Sequence, residues 1–453
     1  MDTNPGILFQ GIITNTGLWA AIIATITITL LGFLLYKFKV LNDQGTLSIQ
    51  KIIINVLLPF LAFYSFMKNA EKTDIKTLGI VFGLSALYYI LLTTIALIWV
   101  KLVPQAVPKK IILRAEREFN EWQDSQELEQ KEIFNKSAFL DSLKKKHLVT
   151  WLMCIYGSNI LFATPIIMGV YPQGIQLGAL NIWNILYYVG GFGLAYTLIS
   201  GVRFTKKEFK FTLKKALLNP SLLAILGALI LWSSQYIPGA GSTIRDLPLT
   251  GEGAKSGTVL IGNQEVVKTF SQVGTFGPNF SKIYAYTYAD GKVQWVVWDS
   301  IKQLYVPYQG KPTGWFDLNV TMPYLAKPIS ILASLVSPLI WIVIGTSLAK
   351  TDLRAMFASK QNWLFLMFKM ILMPALILVM LIPFVKAKIL DPSVGAVLVM
   401  TGSVPPGTTV VIYSQHFKTH ENYTSQVSSL CTMLSFIFIP IWLVIGVVVL
   451  QVI

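Results

Sequence analysis

The sequence predicts an all-α membrane protein of ten transmembrane helices, arranged as two inverted five-helix repeats with broken crossover helices four and nine, plus a small β-rich extracellular insert. Three observations lead there. The 453 residues are 54% hydrophobic and only 13% charged, with a mean hydropathy of +0.59, whereas a soluble domain carries about a quarter charged residues. Apolar runs recur along the chain, each near the roughly 20 residues that cross a hydrocarbon core. One of these runs, from Gly395 to Tyr413, contains Gly402-Ser403-Val404-Pro405-Pro406-Gly407-Thr408-Thr409. The prolines remove two backbone donors and the glycine adds a flexible joint, so the helix must break there. Such a break survives in a membrane only where protein or a polar cavity surrounds it.

Taken in order, the spans fall at about 17–36, 50–67 (with Asn55 and Pro59), 77–102, 149–170 and 179–200. The sixth opens after Asn219-Pro220 and ends near Pro238; the last four fall at about 327–349, 362–384, 394–414 and 426–452. The chain therefore divides into 1–102 (helices one to three), 103–148 (a charged cytoplasmic helical loop), 149–238 (helices four to six), 239–325 (the insert) and 326–453 (helices seven to ten).

The net charge of +15 sits in loops between apolar runs rather than in a nucleic-acid-binding patch. Lys37 and Lys39, then Arg203, Lys206, Lys207, Lys210, Lys214 and Lys215, then Lys350, Arg354 and Lys360 alternate so as to share one face. The other face has fewer basic residues, namely Lys68, Lys72, Lys76, Lys386 and Lys388. The positive-inside rule then puts both termini and the 239–325 insert outside a cell membrane. The N-terminus lacks the basic region of a cleavable signal peptide.

Residues 103–148 have helix-forming composition, with Ile111, Ile112, Phe119 and Trp122 at amphipathic spacing. A solvated helical hairpin on lipid headgroups and a partner site both remain open for it. In the insert, 283–288 and 293–298 flank Asp290-Gly291 and read as a β-hairpin, with Trp295, Trp298 and Trp315 to fill a small core. A plain inserted domain and a solute-capturing lid both fit.

An odd number of spans per half makes any repeat inverted. Pro59 and Pro338 occupy corresponding helices; so do Gly157-Ser158-Asn159 with Pro165, and Pro405-Pro406-Gly407-Thr408-Thr409. Two broken helices crossing at mid-membrane would gather half-helix N-termini around one volume suited to a small organic anion, a carboxylate above all.

At these residues the chain resembles the auxin efflux carrier family, which includes bacterial malate-permease-like and PIN-like carriers. The resemblance rests on Asn55-Val-Leu-Leu-Pro59, the Gly-Ser-Asn stretch to Pro165, Asn219-Pro220, Pro338 with Gly345-Thr-Ser-Leu348, 405–417 and 428–440. It implies a scaffold of helices one, two, six and seven, a mobile core of the others, elevator-type alternating access and a homodimer. It also implies a malate-like cargo for a secondary active transporter. Two positions depart from the family. Seven residues before Pro165, where family members often carry Asn, stands Ser158, with Asn159 beside it; Thr408 and Thr409 stand where an Asn often follows the helix-nine proline. Hydroxyls offer fewer donors and acceptors than amides.

The candidate substrate-binding residues are Ser158, Asn159, Pro165, Pro405, Pro406, Gly407, Thr408 and Thr409. The prolines and glycine also read as a packing kink, and the polar residues as caps of freed backbone. Lys369, inside helix eight, either snorkels to the interface or faces the core as a charge that attracts an anion or couples to a proton. Asn181 and Asn184 read as interfacial; His147, His416 and His420 fall in cytoplasmic loops, too shallow for a relay. Cys154 and Cys431 lie in apolar segments and offer no metal site or disulfide framework. No cofactor, P-loop or catalytic set is evident, so an enzyme is not expected, and the coupling ion, proton or sodium, is left open. The rival to a carrier is a transporter-like solute sensor that signals through its inserts.

Overall fold

A computed structural model describes residues 5–71, 73–125, 133–171, 174–201, 210, 214, 217–237, 254–261, 264–287, 293–310 and 313–453. Arg203, Lys206, Lys207, Lys215, Lys72 and the Asp290-Gly291 turn lie outside these residues.

The principal helices are α1 (Pro5–Ile13), α2 (Thr16–Lys37), α3 (Asp43–Tyr64), α4 (Asp74–Ala106), α5 (Lys109–Ser125), α6 (Lys136–Ile155), α7 (Asn159–Val170), α8 (Gln176–Ile199), α9 (Pro220–Tyr236), α10 (Pro323–Lys350), α11 (Lys360–Lys386), α12 (Pro392–Gly402), α13 (Thr408–His416) and α14 (Glu421–Val452). Seven of them, α2, α3, α4, α8, α10, α11 and α14, are long and apolar enough to cross a membrane; α7, α9 and α12 are shorter apolar helices. The expected fourth and ninth spans are each two helices, α6 with α7 and α12 with α13.

Helix starts are set by side-chain caps. Asn15 accepts from Leu18 N–H, Asn42 from Gly45 N–H and Asn135 from Ala138 N–H. Asn219 and Asp391 each cap a helix whose first residue is proline, a position where the missing N–H costs nothing. Among the described residues, three helices contain a π-helical turn: Ile53–Leu57 in α3, Tyr188–Leu194 in α8 and Phe368–Leu372 in α11. Two of these turns run up to a proline, Pro59 and Pro374, where the ring would clash with a regular ladder.

Packing sorts the long helices into two groups. Helices α2, α10, α3 and α9 form one chain of packed neighbours, and α4 packs on α6 and α8 while α12 packs on α11 and α14. Helix α2 also packs on α7, where a Cβ at Gly17 would fall 2.0 Å from Gly169 O. Between α2 and α10 the backbones touch: a Cβ at Gly32 would fall 2.3 Å from Ile342 O, and one at Gly345 would fall 2.1 Å from Thr29 O. Small residues at such an interface gain dispersion contact where lipid supplies no hydrophobic drive. Helix α12 is the innermost element, buried from Val394 through Gly402.

The expected β-rich region is a closed five-stranded barrel of β1 (Ala254–Ile261), β2 (Gln264–Phe276), β3 (Lys282–Thr287), β4 (Val293–Asp299) and β5 (Leu304–Pro307). Successive strands pair antiparallel, including the β3–β4 hairpin, and a parallel β1–β5 contact at Val259 and Tyr305 closes it. Its core is Val259, Tyr284, Val296 and Tyr305 rather than the three tryptophans. Trp298 is exposed and stacks edge-on against Tyr305 at the rim. Trp315 has left the barrel and donates from Nε1 to Ser234 Oγ at the end of α9.

In the charged 103–148 segment, α5 and the first turns of α6 are bridged by Phe119, Phe134 and Phe139, whose rings meet in sequence at 5.9 and 5.7 Å. Both cysteines are buried and free.

Candidate functional site

The two broken helices meet at their breaks. Helix α6 stops where Tyr156 takes an extended conformation, and α7 restarts at Asn159; α12 stops at Ser403 and α13 restarts at Thr408. The connecting strands run antiparallel across each other. Ser158 N–H donates to Pro405 O at 2.8 Å and Gly407 N–H donates to Tyr156 O at 2.7 Å, with Gly157 opposite Pro406. Each break thus satisfies backbone groups that the other leaves open, as burial in a membrane requires.

Ser158 does more than close the ladder. Its Oγ accepts from Thr408 N–H at 3.3 Å, donates to Pro406 O at 3.3 Å and lies 3.4 Å from Thr408 Oγ1. A side chain from the first break therefore caps the half-helix that follows the second. Glycine is required at two points here. A Cβ at Gly157 would fall 2.6 Å from Val404 Cγ2, and one at Gly407 would fall 2.8 Å from Tyr156 O.

A cavity of about 150 Å³ lies against this crossover, bounded by α3 and α10 on one side and by α7, α13 and α14 on the other. Ser158, Pro406 and Thr408 line it, together with Gln50, Ser347, Ser428, Ser429 and Thr432. The lining is uncharged and mainly apolar, from Ile53, Phe162, Ile344 and Val411 among others, with the hydroxyls as its polar minority. Its volume suits a solute of few heavy atoms, since drug-sized ligands occupy roughly 300–1,000 Å³.

The remaining candidates lie beside the cavity rather than on its wall. Asn159 is buried and donates from Nδ2 to Tyr89 Oη at 3.1 Å and Asn184 Oδ1 at 2.8 Å. Thr409 Oγ1 is 3.3 Å from Tyr187 Oη. Pro165 lies within α7. Pro405 and Gly407 supply the backbone of the crossing.

One sequence expectation is corrected, and of the two readings open for Lys369 the inward one is seen. Asn181 and Asn184 are not interfacial; they are 3% and 0% exposed, and Asn181 donates to Ser65 Oγ at 2.7 Å. Partners inside the bundle account for this: Asn181 also donates to Leu177 O, and Asn184 donates to Leu180 O and accepts from Asn159 Nδ2. Lys369 does not snorkel. It is 1% exposed, and its Nζ donates to Cys154 O at 2.9 Å. The π-helical turn at Phe368–Leu372 carries it, and the carbonyl it meets lies in the last turn of α6, the negative end of that helix dipole. No carboxylate lies within ion-pair distance of Lys369 among the described residues. A Cβ at Gly157 would fall 3.0 Å from this ammonium, so the charge stands directly behind the crossover.

The sequence reading missed Ser428, Ser429 and Thr432, whose i, i+1, i+4 spacing on one long apolar helix was a usable signal for a polar stripe. It also missed Tyr89, Tyr156 and Tyr187, which pack around the crossover; Tyr156 Oη is bound by Thr93 Oγ1 at 2.9 Å. Nothing in the spacing of those tyrosines distinguishes them from ordinary core aromatics.

A larger cavity, about 690 Å³, lies elsewhere, where the chain leaving the barrel meets the end of α3 and the start of α8. Lys68, Glu71, Asp74, Thr313 and Asp317 line it. Burial pushes the Lys68 ammonium down, opposed by the neighbouring charges of Asp74, Glu71 and Asp317. Burial likewise pushes the Asp317 carboxyl up, opposed by a 2.9 Å hydrogen bond from the Thr313 hydroxyl.

Fold and site define a polytopic α-helical membrane protein in which two interrupted helices interlock beside a small cavity. Residues 315–443, from the end of the insert into α14, match the family described as membrane transport protein. The chain is 40% identical over 67 residues to "Protein ECM3" of Saccharomyces cerevisiae (strain ATCC 204508 / S288c), a match covering 14% of this chain and 11% of that protein. It is 38% identical over 67 residues to "Uncharacterized transporter YNL095C" of the same yeast, covering 14% and 10%. The aligned stretch thus spans only about a tenth of the length of these curated relatives. Over these stretches the chain is similar to membrane transport proteins, in line with the resemblance to the auxin efflux carrier family.

Proposed function

We propose that the protein is a secondary carrier that moves a small organic anion, a malate-like carboxylate, across a cell membrane. The observation that carries this reading is the interlocked pair of breaks at Ser158 and Pro406, which bounds a small cavity, hydroxyl-bearing at the crossover, lying between the two groups of helices. In this reading α2, α3, α9 and α10 form a scaffold, and the remaining spans form a core that slides past it with the cargo in the cavity. The two halves are inverted repeats, both termini and the barrel face outward, and two copies pair. Cargo oxygens take hydroxyl donors from Thr408 and from Ser158, whose one proton turns from Pro406 O to the cargo, and the Lys369 ammonium behind the crossover supplies the balancing charge. Binding must differ little between inward and outward states, because a cargo that favoured one state would trap it there.

The test is counter-flow of radiolabelled four-carbon dicarboxylates into proteoliposomes. A hydroxyl bonded to a charged oxygen contributes about 1.5–3 kcal/mol, so Ser158→Ala and Thr408→Ala are each expected to weaken apparent affinity roughly 10- to 100-fold, with thermal unfolding unchanged to within a few degrees. Normal kinetics in both variants would remove the cavity from the transport path.

A second reading, a solute sensor, is favoured by the vestibule of about 690 Å³ whose wall includes Thr313 and Asp317, just after the barrel. Saturable binding of a solute without any counter-flow would select it over the carrier.

A further inference from the structure

A third cavity, about 400 Å³, is cut into the side of the molecule between the end of α4, the second half of α6 and the starts of α11 and α14. Its inner end is apolar and buried, closed by Phe365, Met373 and Cys154. Its outer edge is apolar and open: Leu364, Phe368 and Leu372 are 61%, 45% and 51% exposed on a helix of span length. In a bilayer that edge faces hydrocarbon, so the slot opens sideways into lipid. One end of the slot differs. There Lys146 donates from Nζ to Gln361 Oε1 at 2.6 Å and sits 4.8 Å above the Tyr423 ring, and His147 Nδ1 is 3.5 Å from Trp99 Nε1. The ammonium has further donors beyond the bond to Gln361. Lys144 and Lys145 stand exposed on the same turn of α6, and no acidic side chain lines the slot among the described residues.

An apolar slot with a cationic mouth at one end, opening laterally where tryptophans mark an interface, matches one class of molecule by shape and by charge. We propose that this cleft binds a single anionic phospholipid, its phosphate at Lys146 and His147 and one acyl chain between Trp151 and Phe368. The acyl chain then ends against Cys154, whose carbonyl holds the Lys369 ammonium. Lipid in the slot therefore buttresses the turn of α6 that positions the charge behind the crossover. The site stands on its own residues and does not require the carrier reading.

The experiment is native mass spectrometry of the full chain in a neutral maltoside detergent, with phosphatidylglycerol, phosphatidylcholine or inorganic phosphate added. One phosphatidylglycerol is expected to be retained per chain, at least tenfold more tightly than phosphatidylcholine, with Lys146→Gln abolishing that preference. A phosphatidylglycerol brominated on its acyl chain should quench tryptophan emission, and less so in Trp151→Phe, a conservative change that keeps the fold. Equal retention of both lipids, or binding of phosphate alone as tightly as the lipid, would overturn the proposal. So would quenching unchanged in Trp151→Phe, or a second copy of the chain cross-linking through cysteines placed at Leu364.

Discussion

Lys369 is the residue on which structural and functional roles part most sharply. Burying an ammonium without a counter-ion is costly, and here a single carbonyl, Cys154 O, receives it. Replacing such a group by an apolar side chain of similar length is often neutral or stabilising. Lys369→Met is therefore expected to leave the melting temperature unchanged or raise it while abolishing anion uptake. A variant that unfolds, or one that transports normally, would show the charge to be a packing device. The inward direction of Lys369 could not be read from sequence, because a lysine several residues inside an apolar helix is equally compatible with snorkelling. What decides is the π-helical turn Phe368–Leu372, which alters the helix phase locally, and a partner 215 residues away. The pairing of Asn159 with Tyr89 and Asn184 was hidden for the same reason: polar residues in spans find partners on other helices, which local spacing does not record.

The elements themselves were largely legible. Apolar runs of span length located α2, α3, α4, α8, α10, α11 and α14, and Pro405-Pro406 located the second break. The first falls at the Gly157-Ser158 stretch, while Pro165, expected to interrupt that span, lies inside α7. The signal was physical: span length is set by bilayer thickness, and a proline pair cannot continue a helix. The barrel was seen only as a hairpin, since the closing β1–β5 contact joins segments some 45 residues apart with no shared pattern. Close approach between helices was also invisible until partners were known. Gly345 touches the backbone of α2, so Gly345→Ala, whose Cβ would fall 2.1 Å from Thr29 O, must push the two helices apart. Overpacking of this kind costs about 1–3 kcal/mol. A thermal or denaturant midpoint equal to that of the wild type would show that α2 and α10 are not in backbone contact.

At the scale of the whole molecule, the small cavity sits where one group of helices faces the other, and the larger vestibule sits where the barrel joins the spans. A carrier needs its binding site at such a seam, because sliding of one group past the other then moves the site without dismantling it. The measurement that bears most directly on this is an experimental density map of the protein in lipid nanodiscs, at side-chain resolution, with a four-carbon dicarboxylate present. The expected result is two chain breaks hydrogen-bonded through Ser158 and Gly407, with ligand density against Ser158 and Thr408. Continuous helices through 156–158 and 403–407, or breaks held apart with ligand bound elsewhere, would contradict it.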